Sequence, residues 1–231
     1  VDPGGTANES RRKLVKYCVD AGLAALPNET FYTALRSMSV FPEDTDIPFS
    51  VVADFWKEMT MDGDGQGRIG AEKASTILDA LHNLSFFRHY DPENETLRVH
   101  DEFLAYFRET YRASEIEGLH EHLVNSIKQH CPLGWQTLSG SHHYSWKHLL
   151  YHMEQGGLYH VADECRTNLG WLKGKLKAVG FRELQHSFIS KRLSKASKLV
   201  NRALNMSAFN IQTQPSSLAL QLFGRLGHNS E

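Results

Sequence analysis

The feature that most restricts the fold of this chain is one pair of short β-type runs in a sequence that otherwise has helical periodicity. The runs SFFRHY and TLRVH flank a polar turn over residues 91–95, and this arrangement predicts a two-stranded hairpin. Before it, apolar residues recur at helical spacing over 51–59 and 74–84. Two helices joined by a turn and followed by a two-stranded wing are the layout of a winged-helix domain.

The rest of the chain, after Arg112, is predicted to contain no strand. Apolar residues recur every three or four positions in short segments that end at Pro or Gly, with irregular spacing between segments. This pattern is typical of an α-helical array. The predicted fold class is mainly α, a winged-helix domain with a small β-hairpin wing followed by an α-helical array. The predicted domains are a disordered tail and the end of a preceding helical domain (1–27), the winged-helix domain (28–113) and a helical arm (114–231).

Charge divides the chain in a similar way, although the formal net charge is only −2. Residues 28–110 carry 16 acidic and 7 basic side chains, whereas residues 111–231 carry 8 acidic and 14 basic ones. No apolar run approaches the roughly 20 residues of a membrane helix. Three widely spaced cysteines fit neither a disulfide framework nor a CxxC metal site. We therefore expect a cytoplasmic protein without a membrane partner.

The stretch DGDGQGRIGAEK, residues 62–73, is similar to the calcium-binding loop of an EF-hand. It has oxygen ligands, a glycine and an apolar residue where that loop needs them, at Asp62, Asp64, Gln66, Gly67 and Ile69. The last position should be a bidentate Glu, but Lys73 stands there. We favour a Gly-rich connection between two helices of the winged-helix domain. A calcium-binding, EF-hand-like adaptor stays open as a second function.

A nucleic-acid-binding winged helix is a third candidate function. The predicted recognition helix AEKASTILDALHNL offers Lys73 against Glu72 and Asp79, and an acidic region repels phosphates. We therefore disfavour nucleic acid as a partner. The basic side chains lie elsewhere, where they form either a solvated helical face or a docking surface for an acidic partner, at Lys173, Lys175, Lys177, Arg182, Lys191, Arg192, Lys195, Lys198 and Arg202.

Metal and catalytic sites are not indicated. His148 and His152 lie four residues apart on a predicted helix, close enough to share a metal, but no third ligand is placed to complete a site. We predict an ordinary surface or half-buried pair. The chain contains no P-loop and no GxSxG motif. We predict no catalytic residue and no enzyme activity for this chain by itself.

Four longer stretches give a more specific indication. FYTALRSMSVFPEDTDIPFSVVADFWKE has a Val-Phe-Pro-Glu-Asp turn and an Ile-Pro step before a helix with Trp, and LRVHDEFLAYF has a His-Asp pair where the wing ends. WKHLLYHMEQGGLYHVADECRTNLGWLKGKLKAVG has a Trp-Leu-x-x-Lys signature, and RALNMSAFNIQTQPSSLALQLFGRL follows it. In this order they resemble the winged-helix and helical-arm region of NB-ARC (STAND) signalling ATPases, over about residues 28 to 227. The last stretch resembles the segment before the propeller in the WD-repeat-bearing relatives.

The resemblance implies that His100 contacts the β-phosphate of bound ADP and so holds a closed, inactive form. Asp101 matches the next motif position, where we expect its carboxylate to cap the following helix. Val99 stands where the family usually has Met. Without the resemblance, the simpler interpretation is that His100 only ends a strand. ADP or ATP is the expected cofactor of a parent protein, and we expect this chain alone not to retain it.

The resemblance also implies neighbours. A nucleotide-binding domain with the P-loop is expected before Val1, and a WD-repeat propeller is expected after Glu231. In that setting this chain is a regulatory and scaffolding fragment, ATP hydrolysis belongs to the preceding domain, and the parent forms homo-oligomers on activation. The expected biology is signal transduction in apoptosis or innate immunity.

Overall fold

The structure is a computed structural model that describes residues 16–17, 19–60 and 69–227. The chain divides into two compact units, Val1–Leu123 and Val124–Glu231. The fold is mainly α with one small antiparallel sheet, as predicted. The predicted disordered tail and most of the calcium-like stretch lie outside the described residues. Among the residues that are described, no helix has the length and apolar character needed to cross a membrane.

The helices of the first unit follow the predicted pattern. Residues 19–24 are helical, and four complete helices follow: α1 (Glu29–Ser37), α2 (Phe49–Met59), α3 (Ala71–Asn83) and α4 (Asp101–Thr110). Asn28 caps α1, as its Oδ1 accepts the backbone N–H of Thr30 at 3.0 Å. The division between the units falls within α5 (Ala113–Gln129).

The sheet has three strands rather than the predicted two. The hairpin of β2 (Phe87–Asp91) and β3 (Thr96–Val99) is confirmed, and β1 (Ile47–Pro48) pairs with the other edge of β3. Ile47 lies opposite Leu97, and both side chains are buried. A two-residue strand that ends in proline has no alternating pattern, so the sequence did not indicate it. This pairing ties the segment before α2 to the wing.

The core of the first unit explains the tryptophan that follows the Ile-Pro step. Trp56 is fully buried, and its indole Nε1–H donates to Ser37 Oγ at 3.0 Å. Ser37 in turn donates to the carbonyl of Ala34 at 2.7 Å. The chain of two hydrogen bonds satisfies the polar atoms that burial of this tryptophan takes out of water. It also joins α1 to α2 inside the core.

The second unit is an array of helices around a separate core. Its helices are α6 (His143–Gln155), α7 (Tyr159–Thr167), α8 (Leu169–His186), α9 (Lys195–Met206), α10 (Ala208–Thr213) and α11 (Leu218–Leu226). No strand occurs among the described residues after Arg112. Gly180 has φ +84 and kinks α8, which then continues to His186. Only glycine adopts this backbone conformation without strain.

Candidate functional site

The end of the wing places His100 at the junction of β3 and α4. His100 is the N-cap residue of α4, its backbone N–H lies 3.4 Å from the carbonyl oxygen of Phe86, and its ring packs edge-on against Phe103 at 5.9 Å. Val99, the residue before it, is buried opposite Phe87 in the sheet. The His100 side chain is half-buried, and no hydrogen bond to its ring nitrogens occurs within the described residues. The backbone of His100 is fixed while its imidazole can still donate a hydrogen bond.

Asp101 acts differently from the predicted cap. The helix begins at Asp101 and has His100 as its N-cap, with no side-chain capping bond. The Asp101 carboxylate instead accepts the backbone N–H of Asp44 at 3.2 Å and lies 3.9 Å from an Arg88 nitrogen. Asp44 has a positive φ of 48, a conformation in which Asp is one of the better tolerated residues. Asp101 therefore connects the wing end to the turn that follows α1.

That turn, residues 41–48, is the Phe-Pro-Glu-Asp segment on which the resemblance partly depends. Two arginines of the wing hold it. Arg88 on β2 contacts Asp44 at 2.8 Å, and Arg98 on β3 reaches Asp46 through Nε at 3.0 Å and Nη2 at 2.9 Å. All four side chains are partly exposed, so each pair contributes about 0.2–1 kcal/mol.

A third arginine, at the other end of α4, completes the contacts. Arg108 donates to the carbonyls of Ser39 at 2.9 Å and Phe41 at 2.6 Å, and to the Glu43 carboxylate at 2.8 Å. Hydrogen bonds that involve an ionised group are stronger than neutral ones. Sequence reasoning missed the three arginines. The available signal was the acidic turn itself, because its closely spaced carboxylates need basic partners, and the region offers few of them.

The Trp-Leu-x-x-Lys signature of the second unit is a packing motif. Trp171 and Lys175 on α8 are both about 1% exposed, and the Lys175 Nζ lies 5.2 Å from the centre of the Trp171 ring. Burial lowers the pKa of Lys175 to about 8. The prediction that Lys175 belongs to a solvated basic face is therefore wrong. A cation within helical periodicity looks exposed in the sequence, but the ring of Trp171 covers this one.

Close packing in the same motif requires a glycine. A Cβ at Gly174 would lie 2.6 Å from the ring of Trp146, and the Trp146 and Trp171 rings pack at 6.1 Å. The Nε1–H of Trp146 donates to the carbonyl of Ser139 at 3.0 Å. The small residue lets α8 approach α6 closely enough to pack the two tryptophans together.

A buried arginine joins three helices of the second unit. Arg166 on α7 is 2% exposed, and its guanidinium donates to the Glu154 carboxylate on α6 and to the carbonyl of Ser187 at 2.6 Å. The Asp163 carboxylate lies 3.5 Å away on the same helix. A buried guanidinium is tolerated because these acceptors replace the water that it loses.

Asp163 extends this network to α9. Its carboxylate accepts the backbone N–H of Ser194 at 3.0 Å and the hydroxyl of Ser197 at 2.8 Å. Burial opposes ionisation of Asp163, but these hydrogen bonds hold its pKa below the usual value. Ser194 also caps α9 through the N–H of Ser197. The start of α9 is therefore fixed by its own cap and by α7.

The histidine pair on α6 is more buried than predicted. His152 is fully buried, and its Nε2 lies 2.8 Å from the hydroxyl of Tyr144, so the prediction of a surface or half-buried side chain is wrong for this residue. His148 is half-buried, packs against the ring of Tyr144 at 4.8 Å, and has its pKa lowered to about 4 by burial. Within 16–17, 19–60 and 69–227, no group of three or more His, Cys, Asp or Glu could hold a metal ion.

The calcium-like stretch is described only at its end. Residues 61–68, which include most of the candidate ligands, lie outside the described residues. Ile69 is buried and its N–H donates to Thr60 Oγ1 at 3.1 Å, while Lys73 is in the first turn of α3. The calcium hypothesis therefore stays a prediction without a structural test.

The exposed face of α3 offers little to a nucleic acid. Its exposed side chains include Glu72, Thr76 and Asp79, whereas Lys73 is half-buried. The Asp79 carboxylate also accepts the hydroxyl of Tyr90 at 2.6 Å, so the acid is held on this surface. A face with these charges does not attract phosphates.

Comparison with known proteins finds two similarities. Residues 116–218 match the model of the APAF-1 helical domain family. The rat (Rattus norvegicus) apoptotic protease-activating factor 1 is 26% identical over 167 residues, which cover 70% of this chain and 12% of the relative. The chain thus spans a small part of that relative's length. A helical domain of this kind is not itself a catalytic domain.

The matched residues include the tryptophan motif on α8 and the Arg166 network. Residues 116–218 of this chain therefore form an Apaf-1-like helical region.

Proposed function

We propose that this chain is the regulatory winged-helix and helical-arm part of an NB-ARC-type signalling ATPase. It holds the ADP-bound, closed state through His100 and links the ATPase domain to a WD-repeat sensor. The match of residues 116–218 to the APAF-1 helical domain family supports the setting. The observation that carries the role of His100 is its half-buried imidazole at a fixed backbone position, with no intramolecular hydrogen bond among the described residues.

The donor chemistry at His100 suits a phosphate. An imidazole N–H donates to an anionic oxygen, and it does so more strongly when the ring is protonated. The N-terminal end of α4 lies directly after His100, and the partial positive charge at a helix N-terminus favours a nearby anion. The phosphate of ADP would be held mainly by the preceding nucleotide-binding domain, with His100 as one contact.

The turn over residues 41–48 couples the phosphate contact of His100 to the rest of the first unit. Asp101 binds the backbone of Asp44, and Arg108 at the other end of α4 binds the same turn. A phosphate that draws His100 to one position also fixes α4, and the arginine contacts carry that constraint to the turn. Loss of the phosphate contact would free α4 and the turn together.

The wider setting is part of the same proposal. The partners are a nucleotide-binding domain before this chain and a WD-repeat propeller after it, with homo-oligomerisation of the parent protein on activation. The parent works in the cytoplasm, and its pathway is apoptosis or innate immunity. The name of the rat relative, apoptotic protease-activating factor 1, and the 12% of its length that the chain covers support a larger parent of this kind.

The test uses the full-length parent protein, purified with its bound nucleotide. We expect His100→Ala to raise the ADP release rate by at least about tenfold, since one charge-assisted hydrogen bond contributes about 1.5–3 kcal/mol. Release is measured by displacement of a fluorescent ADP analogue. His89→Ala on β2 is the matched control, because His89 is an exposed histidine of the same wing, and it should leave the rate unchanged.

Three results would count against the proposal. Equal release rates for His100→Ala and the unmodified parent would remove His100 from the nucleotide contact. Tight ADP binding by residues 1–231 alone, measured by calorimetry, would show that the nucleotide does not need a preceding domain. Calcium binding at micromolar concentrations, lost in Asp62→Ala, would favour the adaptor function instead.

A further inference from the structure

One face of α9 carries a row of exposed cations that ends in an exposed apolar side chain. Lys195, Lys198, Arg202 and Met206 follow one another at spacings of three and four residues, and all four are exposed. This spacing places them on the same side of a helix. The opposite side of α9 is buried in the unit through Val200 and Leu204. The row is therefore a continuous outward face.

The apolar end of this face continues into the next helix. Met206 is 56% exposed, and Phe209 on α10 is 79% exposed. Ser207 between them is buried and fixes the junction, since the Nε–H of Arg225 donates to its hydroxyl. Two large apolar side chains held outward at a fixed corner are typical of an interface, where Met, Arg and aromatic residues are enriched.

The cations of the row are not paired with an acid among the described residues, although the Asp163 carboxylate binds Ser194 and Ser197 at the start of α9. No Asp or Glu occurs between Glu183 and Glu231. Over the described part of the chain, none of Lys195, Lys198 and Arg202 forms an ion pair. Unpaired cations on one helix face repel one another. A partner with acidic side chains would relieve this repulsion, so charge complementarity favours an acidic partner.

The geometry points to a specific occupant, and we propose that this face binds an acidic, amphipathic segment of a separate protein. Its carboxylates would pair with the three cations, and one large apolar side chain would pack between Met206 and Phe209. A membrane surface fits less well because a membrane-bound helix presents a wide apolar face, whereas this surface has only Met206 and Phe209 beside three cations. The proposal is independent of nucleotide binding at His100.

The experiment measures binding of a fluorescein-labelled helical peptide, with Glu and Leu at amphipathic spacing, to the 231-residue chain by fluorescence anisotropy. The same peptide with Gln in place of Glu is compared with it. We expect Lys195→Glu, Lys198→Glu and Arg202→Glu together to lower the affinity for the Glu peptide by at least about tenfold at about 50 mM NaCl. The loss of affinity should be smaller at about 300 mM NaCl because salt screens exposed charges.

Two further variants separate this surface from general charge effects. Met206→Ser with Phe209→Ser should lower the affinity for the Glu peptide several-fold at both salt concentrations, since apolar contacts are not screened by salt. Lys173→Glu, Lys177→Glu and Arg182→Glu together remove as much charge from the exposed face of α8, and they should change the affinity less than about twofold. Circular dichroism confirms that each variant is folded.

The results that overturn the proposal are equally specific. Equal weakening by the α8 variant would show that only net charge matters, and absence of saturable binding would show that the face does not recognise such a segment. Tighter binding of phosphatidylserine vesicles or of single-stranded DNA than of the Glu peptide, lost in the same α9 variant, would assign the face to a membrane or a nucleic acid instead.

Discussion

The two units of this protein use charged side chains in opposite ways. In the first unit, arginines at the surface hold an acidic turn; Arg88 and Asp44, for example, have side chains 54% and 67% exposed. In the second unit, Arg166 is 2% exposed and its partner Glu154 is 17% exposed. The first arrangement is screened by salt and makes small contributions, whereas removal of one partner in the second leaves a buried charge unpaired.

The difference suggests different tasks. A turn that many weak, exposed contacts hold can be rearranged when a ligand alters one of them, because each contact costs little to break. A helical array joined through a buried network changes as one body or unfolds. The first unit thus suits a switch and the second suits a rigid arm, which agrees with the proposed function.

The largest expected effect on stability comes from substitution of Arg166. We expect Arg166→Met to lower the free energy of unfolding of the second unit by about 3–5 kcal/mol, because Glu154 and Asp163 lose their buried cation. Urea denaturation followed by tryptophan fluorescence measures the loss. Arg182→Met, at an exposed position of α8, is the control and should cost less than about 0.5 kcal/mol. A small loss for both variants would mean that the buried network does not hold the arm together.

An intermediate effect is expected in both units when the pH falls. Burial, with a contribution from Arg108, lowers the pKa of His120 in the first unit to about 4, and burial lowers that of His148 in the second to about 4. An unfolded histidine titrates near pH 6.5, so between these values the unfolded chain binds protons that the folded chain does not. Each histidine should therefore cost about 2 kcal/mol of stability at pH 5 relative to pH 7.

The check on this effect is urea denaturation at pH 7 and pH 5 for His120→Gln and His148→Gln. Each substitution should remove its share of the pH dependence from its own unit. His89→Gln, at an exposed wing position, should leave the dependence unchanged. If His120→Gln and His148→Gln still lost as much stability at pH 5 as the unmodified protein, other groups would be responsible for the pH dependence.

The smallest expected effect on stability comes from loss of a surface ion pair in the first unit. We expect Arg98→Gln to lower the stability of the first unit by about 0.5–1 kcal/mol at low salt, and by less at about 1 M NaCl, because its ion pair with Asp46 is partly exposed. Lys57→Gln, at an exposed position of α2, is the matched control with little expected effect. A loss of stability that does not depend on salt would show that Arg98 acts like a buried charge, and it would weaken the contrast between the units.

The local pattern of the sequence predicted most of the elements. The β2–β3 hairpin and the two helices before it follow from signals a few residues long. The order of motifs also indicated the NB-ARC type of protein, which the match of residues 116–218 supports. His100 was located by its motif, and its phosphate contact stays a prediction.

What only the tertiary structure decided are contacts between residues far apart in the chain. Arg108 meets Glu43 across 65 positions, β1 pairs with β3, and the ring of Trp171 covers Lys175. Periodicity shows which side of a helix is buried but not which side chain faces it, because that depends on how the helices pack. The sequence alone therefore determined most of the elements and the similarity to the NB-ARC type of protein, and packing decided which charges are exposed contacts and which are buried supports.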